Sequence, residues 1–301
     1  MSKRALVLSG GGSKGAFEVG AVHYLIHHLR MNFQIFLGTS VGALNVAMLG
    51  QARNKRELLD LAQKLKKLWL EITGNQCIYD GGLFTLFRLF CNGALFHPTG
   101  LWRILVEHID LNRLFHPYSV VKVTTVALET GELLYATSRQ KKFFDDFYKY
   151  ILASASIPLF FPPVPINGKH WYDGGLRDIT PLGAVFEENP DEIIVIVTHP
   201  VGTDLKPILP VVKTSVGFAA LLRCLTILTS EIAANDLQLA DAMNKHHLRY
   251  PGRRRVPIRL ISPTHHLPGD SALDFTPASI RENIKLGQEA ARNPRILYYR
   301  L

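Results

Sequence analysis

The chain has 301 residues, of which 47% are hydrophobic and 20% charged, with 34 lysines and arginines against 25 aspartates and glutamates and a formal net charge of +9. This is enough apolar material for one large α/β domain, and it excludes an intrinsically disordered chain. The basic excess suits an anionic membrane surface or nucleic acid, but it is scattered apart from Arg253, Arg254 and Arg255 and the group Lys64, Lys66 and Lys67, and it contains no nucleic-acid-binding motif.

Residues 5–8 read as a short buried strand that runs into the loop Gly10-Gly11-Gly12-Ser13-Lys14-Gly15. Only that short apolar run follows Lys3 and Arg4, so no secretory signal peptide is expected. A helix is predicted from residue 16 to about 29, then a strand over 33–37. That strand ends in Gly38-Thr39-Ser40-Val41-Gly42, a G-x-S-x-G pentapeptide followed at once by the helix-forming run 43–49. A serine between glycines on a strand-to-helix turn is held in a strained backbone that exposes its hydroxyl, with helix N–H groups aimed toward it. Ser40 is the candidate nucleophile, and Gly38 and Gly42 are the glycines of its turn.

Further along, residues 58–72 read as an amphipathic surface helix, and residues 120–128 and 133–137 as strands joined by a turn at 129–132. A β-branched run at 193–197 reads as a buried parallel strand. Residues 216–244 read as largely helical, 258–261 as a late strand, and 277–292 as a C-terminal helix. No stretch reaches the roughly 18 apolar residues of a membrane span, and the most apolar candidate, 216–228, is interrupted by Arg223. Alternating strands and helices predict a three-layer α/β/α sandwich with a mostly parallel central sheet. One domain is expected over 1–301, with a core at about 5–200 and a C-terminal helical extension, 201–301, packed on it.

The glycine loop satisfies G-x-G-x-x-G between a strand and a helix, but the dinucleotide fingerprint also needs an acidic residue ending the second strand. None occurs between Glu18 and Glu57. The phosphate-loop pattern fails as well, because Lys14 precedes a glycine instead of following one. The loop is instead suited to an oxyanion hole, built from Gly10, Gly11, Gly12 and Gly15 with Lys14 adding charge. In an open sheet both loops lie at the carboxyl ends of strands one and two, where they can face one crevice.

A nucleophilic serine needs a base. His199 and the pair His265 and His266 could complete a Ser-His-Asp triad. The alternative is direct activation by Asp173 of Asp173-Gly174-Gly175, after Trp171 and Tyr172, which would need partial desolvation. A second copy of that tripeptide, Asp80-Gly81-Gly82, reads as an ordinary turn.

The glycine loop, the elbow 38–43, and the block from Ala153-Ser154-Ala155-Ser156-Ile157-Pro158 through Phe160-Phe161-Pro162-Pro163 to Asp173-Gly174-Gly175 and Pro181 together resemble the patatin-like phospholipase family of serine acyl hydrolases. Weaker similarity runs through Thr130-Gly131-Glu132 and from Asp274 to Gly287. The resemblance implies a Ser–Asp dyad without histidine: Ser40 as nucleophile, Asp173 as base and the glycine loop as oxyanion hole. It departs at Ile179, where many members carry asparagine.

The expected function is a lipid acyl hydrolase of phospholipase A or lysophospholipase type, acting on phospholipid or another acyl lipid. The alternatives are a Ser-His-Asp carboxylesterase using His199 and a non-catalytic lipid-binding protein. An aromatic segment over 83–96 reads either as packed core or as a lid lining an acyl cleft, with Phe84, Phe87 and Phe90 as cleft residues. No metal-ligand cluster and no cofactor are expected. Cys77, Cys91 and Cys224 lack paired spacing and are expected to be buried free thiols in a cytoplasmic protein that can lie peripherally on a membrane.

Overall fold

The computed structural model describes residues 3–81, 94–212, 216, 218–246, 255–269 and 271–298. Strand β1, Arg4–Leu8, leads through the glycine loop into helix α1, Gly15–His27. Strand β2, Ile35–Gly38, turns into α2, Val41–Leu49, and α3 covers Lys55–Leu70. After α4, Thr99–His108, and the single turn α5, Leu111–Leu114, come β3, Val120–Ala127, and β4, Leu133–Thr137. Helix α6, Phe147–Ser154, precedes β5, Val164–Ile166, and β6, Lys169–Asp173. The chain continues through α7, Leu182–Val185, β7, Glu192–Ile196, and the long α8, Phe218–Lys245. It closes with β8, Ile258–Ile261, α9, Pro277–Ala290, and β9, Arg295–Tyr298.

The strands form one sheet of order β5-β6-β3-β2-β1-β7-β8-β9, with β4 also paired to β3. Its centre, from β3 to β8, is parallel; β4, β5, β6 and β9 are antiparallel additions. Strand side chains alternate between two helical layers. Leu6, Leu8 and Phe36 enter the core against α1, α2 and α3, whereas Ala5, Val7, Ile35 and Leu37 enter the core under α7 and α8. The expected sandwich with its central sheet flanked by helices is thus observed. Residues beyond 201 add β8 and β9 to the same sheet, and α9 packs on α1.

Two glycines set that helix contact. A Cβ at Gly20 of α1 would lie 1.9 Å from the Ile284 carbonyl oxygen, and one at Gly287 of α9 would lie 1.9 Å from that of Phe17. The helices therefore touch backbone to backbone, with neither able to accept a side chain at the crossing. Cys224, expected to be buried, is exposed on α8, because that part of the helix leaves the core; Cys77 is partly covered and Cys91 lies outside the described residues.

Gly20→Ala must push the two helices apart. It should lower stability by about 1–3 kcal/mol, as overpacking of a tight core does. A urea midpoint unchanged from wild type would contradict this reading of the crossing.

Candidate active site

The register of β3 brings the two central residues together. Lys122 and Val123 pair with both β2 and β4, and Thr125 and Val126 pair with both β4 and β6. Strands β2 and β6 must therefore lie end to end along one edge of β3. Gly38, the last residue of β2, sits opposite Val123, and Asp173, the last residue of β6, sits opposite Thr125. Ser40 and Asp173 meet where the two strands abut. Thr124 lies at the seam, donating from Oγ1 to the Thr39 hydroxyl at 2.6 Å.

Ser40 has φ 57° and ψ −127°, a region rarely populated by a residue with a side chain. The turn is tight enough that a Cβ at Gly38 would lie 2.3 Å from the Gly42 carbonyl oxygen, and one at Gly42 would lie 2.4 Å from that of Leu8. Both elbow glycines are thus required by close backbone approach. The end of α6 clamps the pair from the other side. Ser40 N–H donates to Ser154 Oγ at 2.9 Å, and Asp173 N–H donates to the Ser156 carbonyl at 3.0 Å.

Asp173 is buried, and burial pushes its carboxyl up to about 7. Two hydrogen bonds to the charged form oppose that rise, from the Gly175 N–H at 2.7 Å and from the Ser40 hydroxyl. A carboxylate with this environment can accept a proton near neutral pH, which an ordinary aspartate cannot. His199 lies just beyond β7, next to the Thr198 that anchors the glycine loop. Its Nε2 is buried without a hydrogen-bond partner, and burial, with the charge of Lys14 as a lesser cause, holds the ring down at about 4. His265 bonds its neighbour, Thr264, at 2.9 Å.

In the glycine loop, the Gly10 N–H donates to the Ile179 carbonyl at 3.1 Å and the Lys14 N–H to that of Gly11 at 3.2 Å. The Gly15 N–H faces the carbonyls of Gly12 and Ser13. Gly11 and Gly12, and Val41 at the start of α2, have N–H groups with no protein acceptor among the described residues. Such donors can receive an oxygen that becomes negative. The loop is anchored by Thr198, whose hydroxyl donates to the Gly10 carbonyl at 2.8 Å. The Lys14 ammonium is lowered by burial.

Two sets of residues at the site carry no motif. Asn45 donates to the Glu18 carboxyl at 2.9 Å and accepts from Trp69 Nε1 at 3.0 Å. Glu18 is fully buried, and burial pushes its pKa well up, against the lowering effect of its hydrogen bond from Asn45. The second set supports the Asp173 loop from α8. Asp236 accepts from the N–H groups of Ile179 at 3.1 Å and Thr180 at 2.9 Å. It lies beside Asp178, which accepts from the Tyr135 hydroxyl. Burial raises both carboxyls. At Ile179, the position of the departure toward isoleucine, loop support comes from Asp236. No sequence signal singles out Asp236, since the same helix also carries Glu231 and Asp241.

A cavity of about 260 Å³ opens at Ser40 and Gly12 and runs between α2, α3 and α4, walled by Leu44, Met48, Leu65, Ile104 and Leu105. Phe84, Phe87 and Phe90, expected to line a cleft or lid, lie outside the described residues. From the end of that segment, Phe96 packs on Tyr79 with ring centroids 4.5 Å apart. Phe161 joins the cavity wall. Among the described residues, no group of histidines, cysteines or carboxylates could hold a metal.

A family model described as patatin-like phospholipase matches residues 6–186. Among curated proteins, lysophospholipase NTE1 of Candida albicans is 25% identical over 193 residues, and lysophospholipase NTE1 of Meyerozyma guilliermondii is 26% identical over 199 residues. Each match covers 64% of this chain but only 13% and 12% of those longer proteins, respectively. Among solved structures, VipD from Legionella pneumophila aligns over 97% of this chain and 66% of its own, with TM-score 0.45 and 14% identity.

The folded-state pKa of Asp173 stands above its ordinary value of 3.8, so the native state binds this proton more tightly than the unfolded chain. Its contribution to stability is full at low pH and is lost as pH rises toward 7. Asp173→Asn, neutral and of equal size, should therefore stabilise the protein at pH 8 by about 1–3 kcal/mol. Equal or lower stability of the variant in urea at that pH would contradict the buried-charge description.

Proposed function

The chain belongs to the patatin-like phospholipase family, and from that membership and the geometry at Ser40 we propose that it is a lipid acyl hydrolase of phospholipase A or lysophospholipase type, working through a Ser40–Asp173 dyad. The observation that carries this reading is the meeting of Ser40 with a buried, pKa-raised Asp173 where β2 and β6 abut, at the mouth of an apolar cavity.

The fatty chain of the substrate lies in the cavity, and its ester carbonyl rests between Ser40 and the glycine loop. Ser40 Oγ attacks the carbonyl carbon while Asp173 takes the hydroxyl proton. The N–H groups of Gly11, Gly12 and Val41 receive the oxygen that becomes negative. Collapse of the tetrahedral intermediate transfers the Asp173 proton to the leaving alcohol and leaves an acyl-Ser40 ester. Asp173 then takes a proton from water, which attacks that ester, and collapse of the second intermediate returns this proton to Ser40 Oγ and frees the fatty acid. Lys14 and Gly15 hold the loop in place, with Gly10 pinned to Ile179. Each step uses groups of this chain alone.

A carboxylesterase triad through His199 has less support, since that ring has no partner at Ser40 and is held neutral by burial. A purely lipid-binding role would not need a strained serine bonded to a buried carboxyl.

Release of fatty acid from lysophosphatidylcholine, alongside hydrolysis of a soluble short-chain ester, tests the assignment. Ser40→Ala should abolish turnover, and Asp173→Asn should reduce kcat by about 10²–10⁴-fold. His199→Ala should stay within tenfold of wild type. Full activity in Asp173→Asn with none in His199→Ala would overturn the dyad.

The reaction should also report its base. Because Asp173 must be ionised to act, kcat/KM should rise with pH and level off above about 7. A profile already flat from pH 5 would mean that an unshifted carboxylate is at work.

A further inference from the structure

Helix α8 does two different things along its length. Its C-terminal half is seated: Ala233, Ala234, Leu237 and Ala240 are buried, Asp236 binds the Asp173 loop, and Asn244 pairs with Val256 at the amino end of β8. From Asn244 toward Asp236 the helix therefore climbs to the carboxyl edge of the sheet, where Ser40 lies. It does not stop there. The residues from Asp236 back to Phe218 carry it about 27 Å further at 1.5 Å per residue.

Along that projection no side chain from Ala220 to Ile232 is buried. Leu221, Ile227 and Leu228 are 44%, 45% and 61% exposed, and the preceding loop adds Ile208 and Val211, exposed at 52% and 102%. Arg223 donates to the Pro210 carbonyl at 3.1 Å and so ties loop and helix into one apolar tip. A helix apolar over most of its circumference is a buried or membrane-facing one, and the described residues cover this one only in part.

Two properties select the occupant. The hydroxyls of the tip are satisfied within their own helix: Thr226 donates to Leu222, Thr229 to Leu225 and Ser230 to Thr226, at 3.0, 2.9 and 2.6 Å. These three side chains enter an apolar medium with their hydroxyls satisfied. Between Asp204 and Glu231 the sequence has no acidic residue, and its charges there, Lys206, Lys213 and Arg223, are all basic. We propose that the projecting end of α8 with residues 208–212 of the preceding loop is a lipid-docking surface that inserts into one leaflet of an anionic bilayer and holds the Ser40 end of the sheet at the membrane. Among the described residues no helix is long and apolar enough to cross a membrane, so the tip lies in the interface and does not span it. The functional link to Ser40 rests on the acyl-lipid reading above; the binding itself does not.

Flotation with phosphatidylcholine vesicles containing phosphatidylglycerol tests the surface. The wild type should float with the vesicles, and Leu221→Glu with Leu228→Glu should weaken partitioning at least about tenfold. Hydrolysis of a soluble short-chain ester should stay within about twofold, which also verifies folding. A fluorophore on Cys224, with Cys77→Ser and Cys91→Ser, should shift to the blue on vesicle addition. Equal flotation of the charged variant, or no shift, overturns the proposal. So does a stable dimer in light scattering that the two glutamates dissociate, since the tip would then face a second copy. Vesicle binding by a wild type that hydrolyses no ester supports the surface while removing the catalytic reading.

Discussion

The site depends on one constraint of sheet pairing: β2 and β6 share a single edge of β3 and abut end to end. The parallel strand delivers Ser40 upward out of the sheet, and the antiparallel strand delivers Asp173 to the same point from the opposite direction. Neither residue needs a long loop to reach the other, so the pair is held by ladder hydrogen bonds on both sides. The clamps from Ser154 and Ser156 act on backbone groups already placed by that register.

Around this seam the protein collects features that local physics disfavours. Ser40 sits at positive φ, Asp173 and Glu18 are buried carboxyls, and burial raises the neighbouring carboxyls of Asp178 and Asp236. Each is tolerable because the surrounding sheet and helices over-determine it. Departures of this kind concentrate at functional sites in general. The acid pair also connects the Asp173 loop to α8, so the helix that projects past the site is fastened directly behind it.

Local features of this arrangement are legible in the amino-acid sequence. The turn at Ser40 announces itself because glycine spacing and a strand-to-helix change involve only neighbouring residues. The hairpin at 129–132 and the late strand β8 follow from equally short patterns. Non-local features are not legible in this way. Asp173 stands out as an acid beside glycines, but the end-to-end meeting of β2 and β6 arises only from pairing between distant segments. Asp236 lies 57 residues from Ile179, whose N–H it holds, and no short pattern joins them. Strands β5 and β9 are too short to stand out by alternation. The Cys224 thiol departs from expectation because apolar neighbours suggest burial, whereas on α8 those neighbours are themselves exposed.

The central claim is that Ser40 is made nucleophilic by a buried Asp173. The rate at which a soluble fluorophosphonate modifies the protein, followed by mass spectrometry as a function of pH, tests it without dependence on any lipid. The label should fall on Ser40, at a rate rising with a midpoint near pH 7, the value to which burial lifts Asp173. That rise should vanish in Asp173→Asn and persist in His199→Ala. Modification at another residue, or a pH profile unchanged by loss of the Asp173 carboxylate, would contradict the account.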